Sequence, residues 1–360
     1  MMDKRKSTRA KRSDPPRPVG RVEWLPLLIV GAGLAAYANS FQGPFLFDDI
    51  GHIVQNERIR DLWSPAGYLA TRRPVVALSL AVNYAISEYR VWSYHAFNIG
   101  VHVLAGLTLF GIVRRTLERN SLLEAGVSPA GCRPAYVSPR GRKPAARRAE
   151  TENALRHARV PSPAGAPASW FALATAAIWV VHPLQTQSVS YTVQRGEALM
   201  GLFYLLTIYA VLRGADSAKR SRWWYAAAVV TSALGMGSKA VMVTAPVVVL
   251  LFDRTLIAGS FLEAWRRRWG LYVGLVASWS VLFACGIVQS VLNPPPGVTT
   301  TVGLGYAGVT PSEYALTQPG VILHYLALAF WPANLCLDYD WPVATTWPTI
   351  IVPAAGILAL

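Results

Sequence analysis

Residues 24–52 read WLPLLIVGAGLAAYANSFQGPFLFDDIGH, and this stretch decides the fold. Its first part, 24–40, is an apolar run without a charge. A basic segment from Lys4 to Arg21 precedes it, and no small-residue cleavage site follows it. The run therefore reads as a signal-anchor helix, not a removable leader. The second part sets Asp48 and Asp49 side by side, with His52 close behind, among apolar and aromatic neighbours. Charges beside a membrane are costly unless they face water or a site. Two readings follow. The acids cap a short interfacial helix, or they stand at the outer mouth of a helical bundle and do chemistry there.

Outward from this stretch, composition supports the membrane. Of 360 residues, 53% are hydrophobic and 15% charged, with a mean hydropathy of +0.32. Soluble domains carry about 25% charged residues. Thirteen Trp and 15 Tyr suit a protein with two membrane–water interfaces. Apolar runs at 24–40, 95–113, 169–182, 198–212, 223–238, 240–252, 270–290 and 347–360 predict about eight transmembrane helices. The expected fold is an all-α integral membrane protein with interfacial helices in long outer loops.

The net charge is +15, and its distribution decides what it means. The N-terminus and the 114–168, 213–222 and 253–269 connections hold 27 of the 34 Lys and Arg, with 10 acids. The alternate connections hold 7, with 9 acids. This is a positive-inside pattern. It places the N-terminus in the cytoplasm and makes nucleic acid a poor partner; the bilayer and its anionic lipids are better ones. Cys132, Cys285 and Cys336 fall in three different settings, so no disulfide is expected.

Residues 1–23 form a basic cytoplasmic tail, and 24–360 form the transmembrane domain. Within it, 41–94 is a first outer loop. Residues 74–88 are apolar but too short to cross a core of about 30 Å. Ser79, Asn83 and Ser87 recur every four residues and predict an amphipathic helix lying in the interface. His95, Asn98 and His102 share one helical face, which should look into the bundle. Residues 114–168, rich in Arg, Pro, Ala and Gly, read as a disordered cytoplasmic insertion. The run 223–252 predicts a hairpin broken at Gly235-Met236-Gly237, with Lys239 at its outer tip. Residues 291–346 form a second outer loop, and the last run stops without an inner flank, as though more chain followed.

The outer side thus collects Asp48, Asp49, His52, Arg90, His95, His182, Arg195, Glu197, Lys239, Asp338 and Asp340. Carboxylates and a few cations at a bundle mouth suit transfer from a lipid-linked phosphate donor. An ionised Asp takes the proton of an acceptor hydroxyl. The leaving phosphate is already a stable anion, and Arg or Lys stabilises the charge growing on it. Asp338-Tyr339-Asp340 resembles the metal-holding D-x-D of nucleotide-sugar enzymes, but a lipid-phosphate donor has no diphosphate to bridge. Neither a metal nor a cofactor is expected.

Several short motifs, in order, carry a resemblance. They are Phe47-Asp48-Asp49, Arg73-Pro74, Tyr94-His95-Ala96-Phe97-Asn98, His182-Pro183-Leu184-Gln185, Gln194-Arg195-Gly196-Glu197, Ser238-Lys239, and Gln318-Pro319 through Leu337-Asp338-Tyr339-Asp340-Trp341. Together they resemble the membrane region of the transmembrane and tetratricopeptide-repeat protein O-mannosyltransferases and their bacterial relatives, within the GT-C glycosyltransferase superfamily. The resemblance implies a GT-C type bundle, a polyprenyl-phosphate-linked sugar donor, a protein or glycan acceptor, and inverting transfer. It also implies an extracytoplasmic active site, here in a bacterial inner membrane. It makes Asp48 the catalytic base and Asp49 its support, with Lys239 and Arg195 holding the donor phosphate. His52, His95, His182, Glu197, Asp338 and Asp340 are supporting candidates. Gln187 and Ala240 stand where relatives often have acids, and a repeat domain would have to follow residue 360. Two other classes stay open. A transporter or flippase for a lipid-linked substrate predicts matched halves with broken helices, and a non-catalytic membrane scaffold predicts no chemistry.

Overall fold

A computed structural model describes residues 24–124, 165–217, 219–288, 308–336 and 339–360, and among these no strand is present. Proline sets many of the helix starts. Its fixed φ and missing N–H suit the first turn. It stands there in α1 (Leu25–Ala36), α2 (Pro65–Leu69) and α3 (Pro74–Ser87). After them come α4 (Val91–Glu124), α5 (Gly165–Val181), α6 (Thr186–Ser190), α7 (Arg195–Asp216) and α8 (Ser221–Met236). Proline starts α9 (Ala245–Asp253) as well, which α10 (Phe261–Ala277) and α11 (Ser280–Ala284) follow. It starts α12 (Pro311–Phe330) and α13 (Trp347–Ala359) too, each behind a threonine capping box.

Helix α4 is the axis of the bundle, and α1, α3, α5 and α7 pack around it. A Cβ on Gly106 of α4 would stand 2.3 Å from Val180 Cγ2 of α5, so only glycine admits this approach. The long helix α7 pairs with α8, and α8, α9 and α10 build a second core around Val211, Leu212, Ala228, Val249 and Leu275. α12 and α13 pack on each other.

Among the described residues, three helical stretches are long and apolar enough to cross a membrane: Val91–Ser121, Thr192–Asp216 and Ala240–Ala258. The pair Pro167–Val181 and Pro183–Ser190, bent by 51°, makes a fourth if it is one broken span rather than a re-entrant loop. This is fewer than the eight spans expected, because several apolar runs fold into shorter helices. The run 24–40 gives α1, only 12 residues long. The run 270–290 is broken. α10 starts before it, at Phe261, and ends at Ala277, where Ser278 turns its hydroxyl onto the Leu275 carbonyl.

Two other expectations are corrected. Residues 114–124 are not part of a disordered insertion. They continue α4, because Arg119 pairs with Asp216 at the end of α7 at 2.7 Å and Arg114 pairs with Glu118 one turn on. The Ser79, Asn83 and Ser87 stripe does not face the interface. All three are buried, and Ser79 and Asn83 receive a buried arginine. The basic tail and most of the 114–168 segment lie outside the described residues.

Candidate functional site

The carboxylates of Asp48 and Asp49 have opposite surroundings. Phe47 adopts φ 46°, a left-handed turn that is strained for a bulky residue. Asp48 and Asp49 follow in one helical turn, where successive side chains point about 100° apart. Asp49 is 1% exposed. One of its oxygens accepts the Leu46 N–H at 3.1 Å and the other the Val193 N–H at 2.7 Å. It thereby ties the first loop to the segment leading into α7. Burial pushes its pKa above the ordinary carboxylate value, while the two N–H donors and the nearby His95 and Arg195 pull it back. Asp48 is exposed. Its backbone N–H donates to the Tyr191 hydroxyl at 3.0 Å. Its carbonyl accepts from His52 Nδ1 at 3.0 Å, which sets the proton on that nitrogen when His52 is neutral. Burial, with the nearby Asp48 and Asp49, pushes the Tyr191 hydroxyl above its ordinary value. The acid that stays open is thus the one braced through its backbone.

Arg195 opens α7 and is 0% exposed. Its guanidinium donates to Asn83 Oδ1 at 2.6 Å, Ser79 Oγ at 3.4 Å and the Tyr94 carbonyl at 3.3 Å. The Phe97 and Tyr94 rings cover it, with centroids 4.7 and 5.4 Å away. No carboxylate bonds to it among the described residues. Its donors face α3 and α4, so it locks those helices to α7.

The histidines of α4 act as cleats. His95 Nε2 bonds the Gly43 carbonyl at 3.0 Å and His102 Nε2 the Val180 carbonyl at 2.9 Å. Between them the Asn98 amide donates to Val189 and Thr192 carbonyls. The bonds tie α4 to the first loop, to the end of α5, and to α6 and the turn after it, which accounts for the buried polar face. His182 caps the turn after α5 by accepting the Leu184 N–H, and its Nε2 bonds the Ala329 carbonyl of α12 at 3.1 Å.

Lys239 follows the end of α8 in extended backbone, and its ammonium pairs with Glu197 of α7. Burial, and then the charge of Arg73, lower its pKa. An incoming anion would relieve that repulsion. Glu197 also lines a cavity of about 360 Å³ with Gln194, Gln187, Gln185, Trp179 and His102. That size falls within the roughly 300–1,000 Å³ of small-ligand sites. The lining offers side-chain amides, one carboxylate and an indole face, a set suited to a polyhydroxylated ring.

The structure therefore gathers Asp48, Asp49, His52, His95, Arg195, Glu197 and Lys239 around one end of α4 and α7. His182 sits at the bend between Val181 and Pro183, bonded to the Ala329 carbonyl of α12. Asp340 sits in a left-handed turn at φ 44°, beside the His324, Tyr339 and Trp341 ring cluster. Asp338 lies outside the described residues. Sequence reasoning assigned no role to Tyr191, Asn83 or Arg73. Tyr191 carried a signal, since it stands four residues before Arg195 in a polar stretch between apolar runs.

Comparison with known proteins finds relatives at low identity. The chain is 25% identical over 258 residues to protein O-mannosyl-transferase TMTC4 of Homo sapiens, covering 66% of this chain and 30% of that protein. It is 24% identical over 205 residues to protein O-mannosyl-transferase TMTC1 of Homo sapiens, covering 52% and 18%. It is 22% identical over 325 residues to protein O-mannosyl-transferase Tmtc2 of Drosophila melanogaster, covering 85% and 29%. No protein-family model and no solved structure matches the chain. The chain spans less than a third of the length of these relatives, and its low-identity similarity is to proteins named as protein O-mannosyl-transferases.

Proposed function

We propose that the chain carries the membrane-embedded catalytic region of a GT-C type glycosyltransferase. It moves a mannosyl group from a polyprenyl-phosphate donor to a protein hydroxyl at the extracytoplasmic face. The observation that carries this reading is the division of labour between adjacent acids. Asp49 is spent on backbone N–H groups, while Asp48 is open and held in place by Tyr191 and His52.

In the reaction the acceptor hydroxyl oxygen attacks the anomeric carbon and its proton passes to Asp48. The bond from that carbon to the phosphate oxygen breaks, and polyprenyl phosphate leaves as an anion. Attack opposite the leaving group inverts the anomeric centre. Lys239, with Arg73 nearby, stabilises the departing phosphate. Glu197 orients Lys239. The cavity lined by Gln187, Gln194 and Trp179 receives the sugar. Arg195 acts as a positioning residue here, because its guanidinium is already committed to Asn83, Ser79 and Tyr94. That differs from the phosphate-holding role the resemblance implies. The transporter reading calls for paired broken helices, and one bent pair stands among the described residues.

The test is transfer by the purified, lipid-reconstituted full chain. Polyprenyl-phosphate mannose and a Ser/Thr peptide should give a glycopeptide whose anomeric configuration is opposite to that of the donor. GDP-mannose alone should give none. Retained configuration, or transfer from the nucleotide sugar but not from the lipid, would contradict the proposal.

A further inference from the structure

The end of the bundle opposite Asp48 holds a second cavity, of about 370 Å³, between α8 and α10. Its lining mixes two chemistries. Arg222 of α8 and Arg267 and Arg268 of α10 bring the cations, and Val229, Leu271 and Ala226 bring apolar surface. Geometry explains the opening. The two helices touch at Gly274, where a Cβ would lie 2.7 Å from Val229 Cγ2. One turn earlier, at Gly270, a Cβ would meet nothing within 4 Å. Between that turn and the start of α10, Arg268 leaves helical geometry (φ −136°, ψ 27°) to reach Asp253 and Tyr225. The bend splays the helix ends apart.

Charge around the opening is one-sided. The 213–222 and 253–268 segments carry Arg213, Lys219, Arg220, Arg222, Arg254, Arg266, Arg267 and Arg268 against Asp216, Asp253 and Glu263. All three acids are already engaged, by Arg119, Arg268 and Arg267. Of the crevice arginines, Arg267 and Arg268 thus already meet Glu263 and Asp253, and Arg222 forms no ion pair among the described residues. Trp223, Trp265 and Trp269 lie at the same end, 67%, 51% and 59% exposed. Exposed indoles beside arginines mark a headgroup-level surface.

We propose that this crevice binds the phosphate headgroup of an anionic phospholipid, with the acyl chains running along Val229 and Leu271. Basic pockets between membrane helices suit such headgroups. A soluble anion would satisfy the arginines but leave the apolar surface of the crevice bare. The site is independent of the transferase reading.

The experiment is native mass spectrometry of the full chain released from mixed phosphatidylglycerol and phosphatidylcholine micelles. Wild type should retain phosphatidylglycerol over phosphatidylcholine by about 10-fold or more, from roughly 1 kcal/mol per arginine. Arg222→Gln with Arg267→Gln should abolish that preference. Arg268 is left in place because it also holds Asp253. A second variant, Gly270→Phe, should block the crevice sterically with every charge retained and lower phosphatidylglycerol retention similarly. Equal retention of the two lipids by wild type would overturn the proposal, as would unchanged preference in the folded Gly270→Phe protein. Displacement of phosphatidylglycerol by inorganic phosphate at matched concentration would assign the crevice to a free anion and overturn the lipid.

Discussion

Two buried arginines at opposite ends of the bundle are held in contrasting ways. Arg268 meets Asp253 through both carboxylate oxygens, at 2.7 and 2.9 Å, and Tyr225 and Tyr272 complete the cluster. Opposite charges there cancel within one knot. Arg195 meets neutral oxygens of Ser79, Asn83 and Tyr94, although Asp49 is close enough to be influenced by its charge. Asp49 in turn is satisfied by backbone N–H groups. The Asp48 end thus separates its acids from most of its cations and leaves the Asp48 carboxylate open. Full pairing makes a rigid joint. Incomplete pairing leaves charge for a substrate to use.

That contrast can be broken by mutation. The largest effect on folding should come from the paired end. Asp253→Ala leaves Arg268 buried and unmatched, at a cost of about 3–5 kcal/mol in unfolding free energy. Arg195→Met removes charged hydrogen bonds to neutral partners and should cost less, about 2–3 kcal/mol. Denaturation of the two variants in matched lipid checks the order; equal costs would erase the distinction. Next is Lys239→Ala. It should raise the apparent KM for the lipid donor by about 10-fold, one charge-assisted contact's worth, with acceptor KM unchanged. An unaltered donor KM would remove Lys239 from the phosphate site.

The smallest effect concerns pH. Burial raises the Asp49 pKa in the fold above its unfolded value. The folded state therefore holds its proton more tightly, and stability falls as pH rises from the unfolded pKa through the folded one. Asp49→Asn should flatten the unfolding temperature across that window, which opens upward from the ordinary carboxylate value. A slope unchanged by the substitution would mean that other groups set it.

The helical class and the apolar helices were legible because apolar runs are local signals. The break after α8, with Lys239 beyond it, follows from Gly235-Met236-Gly237. What stayed hidden depends on tertiary partners. The stripe on α3 shows that it is polar, not whether water or an arginine receives it; Arg195 lies more than a hundred residues away. Asp253 and Arg268 read as two charges of one basic connection, because nothing local shows that α10 bends to join them. In the candidate site, the adjacent acids stood out, but their separate fates rest on Val193 arriving from another segment to meet Asp49. That partner is not encoded within a few residues of Asp48.

The most direct measurement is the sugar-transfer rate per folded molecule of Asp48→Asn beside wild type. The account predicts a loss of about 100-fold or more, the scale of a general base, with unfolding temperature and donor affinity unchanged. Transfer at the wild-type rate by the folded variant would contradict it.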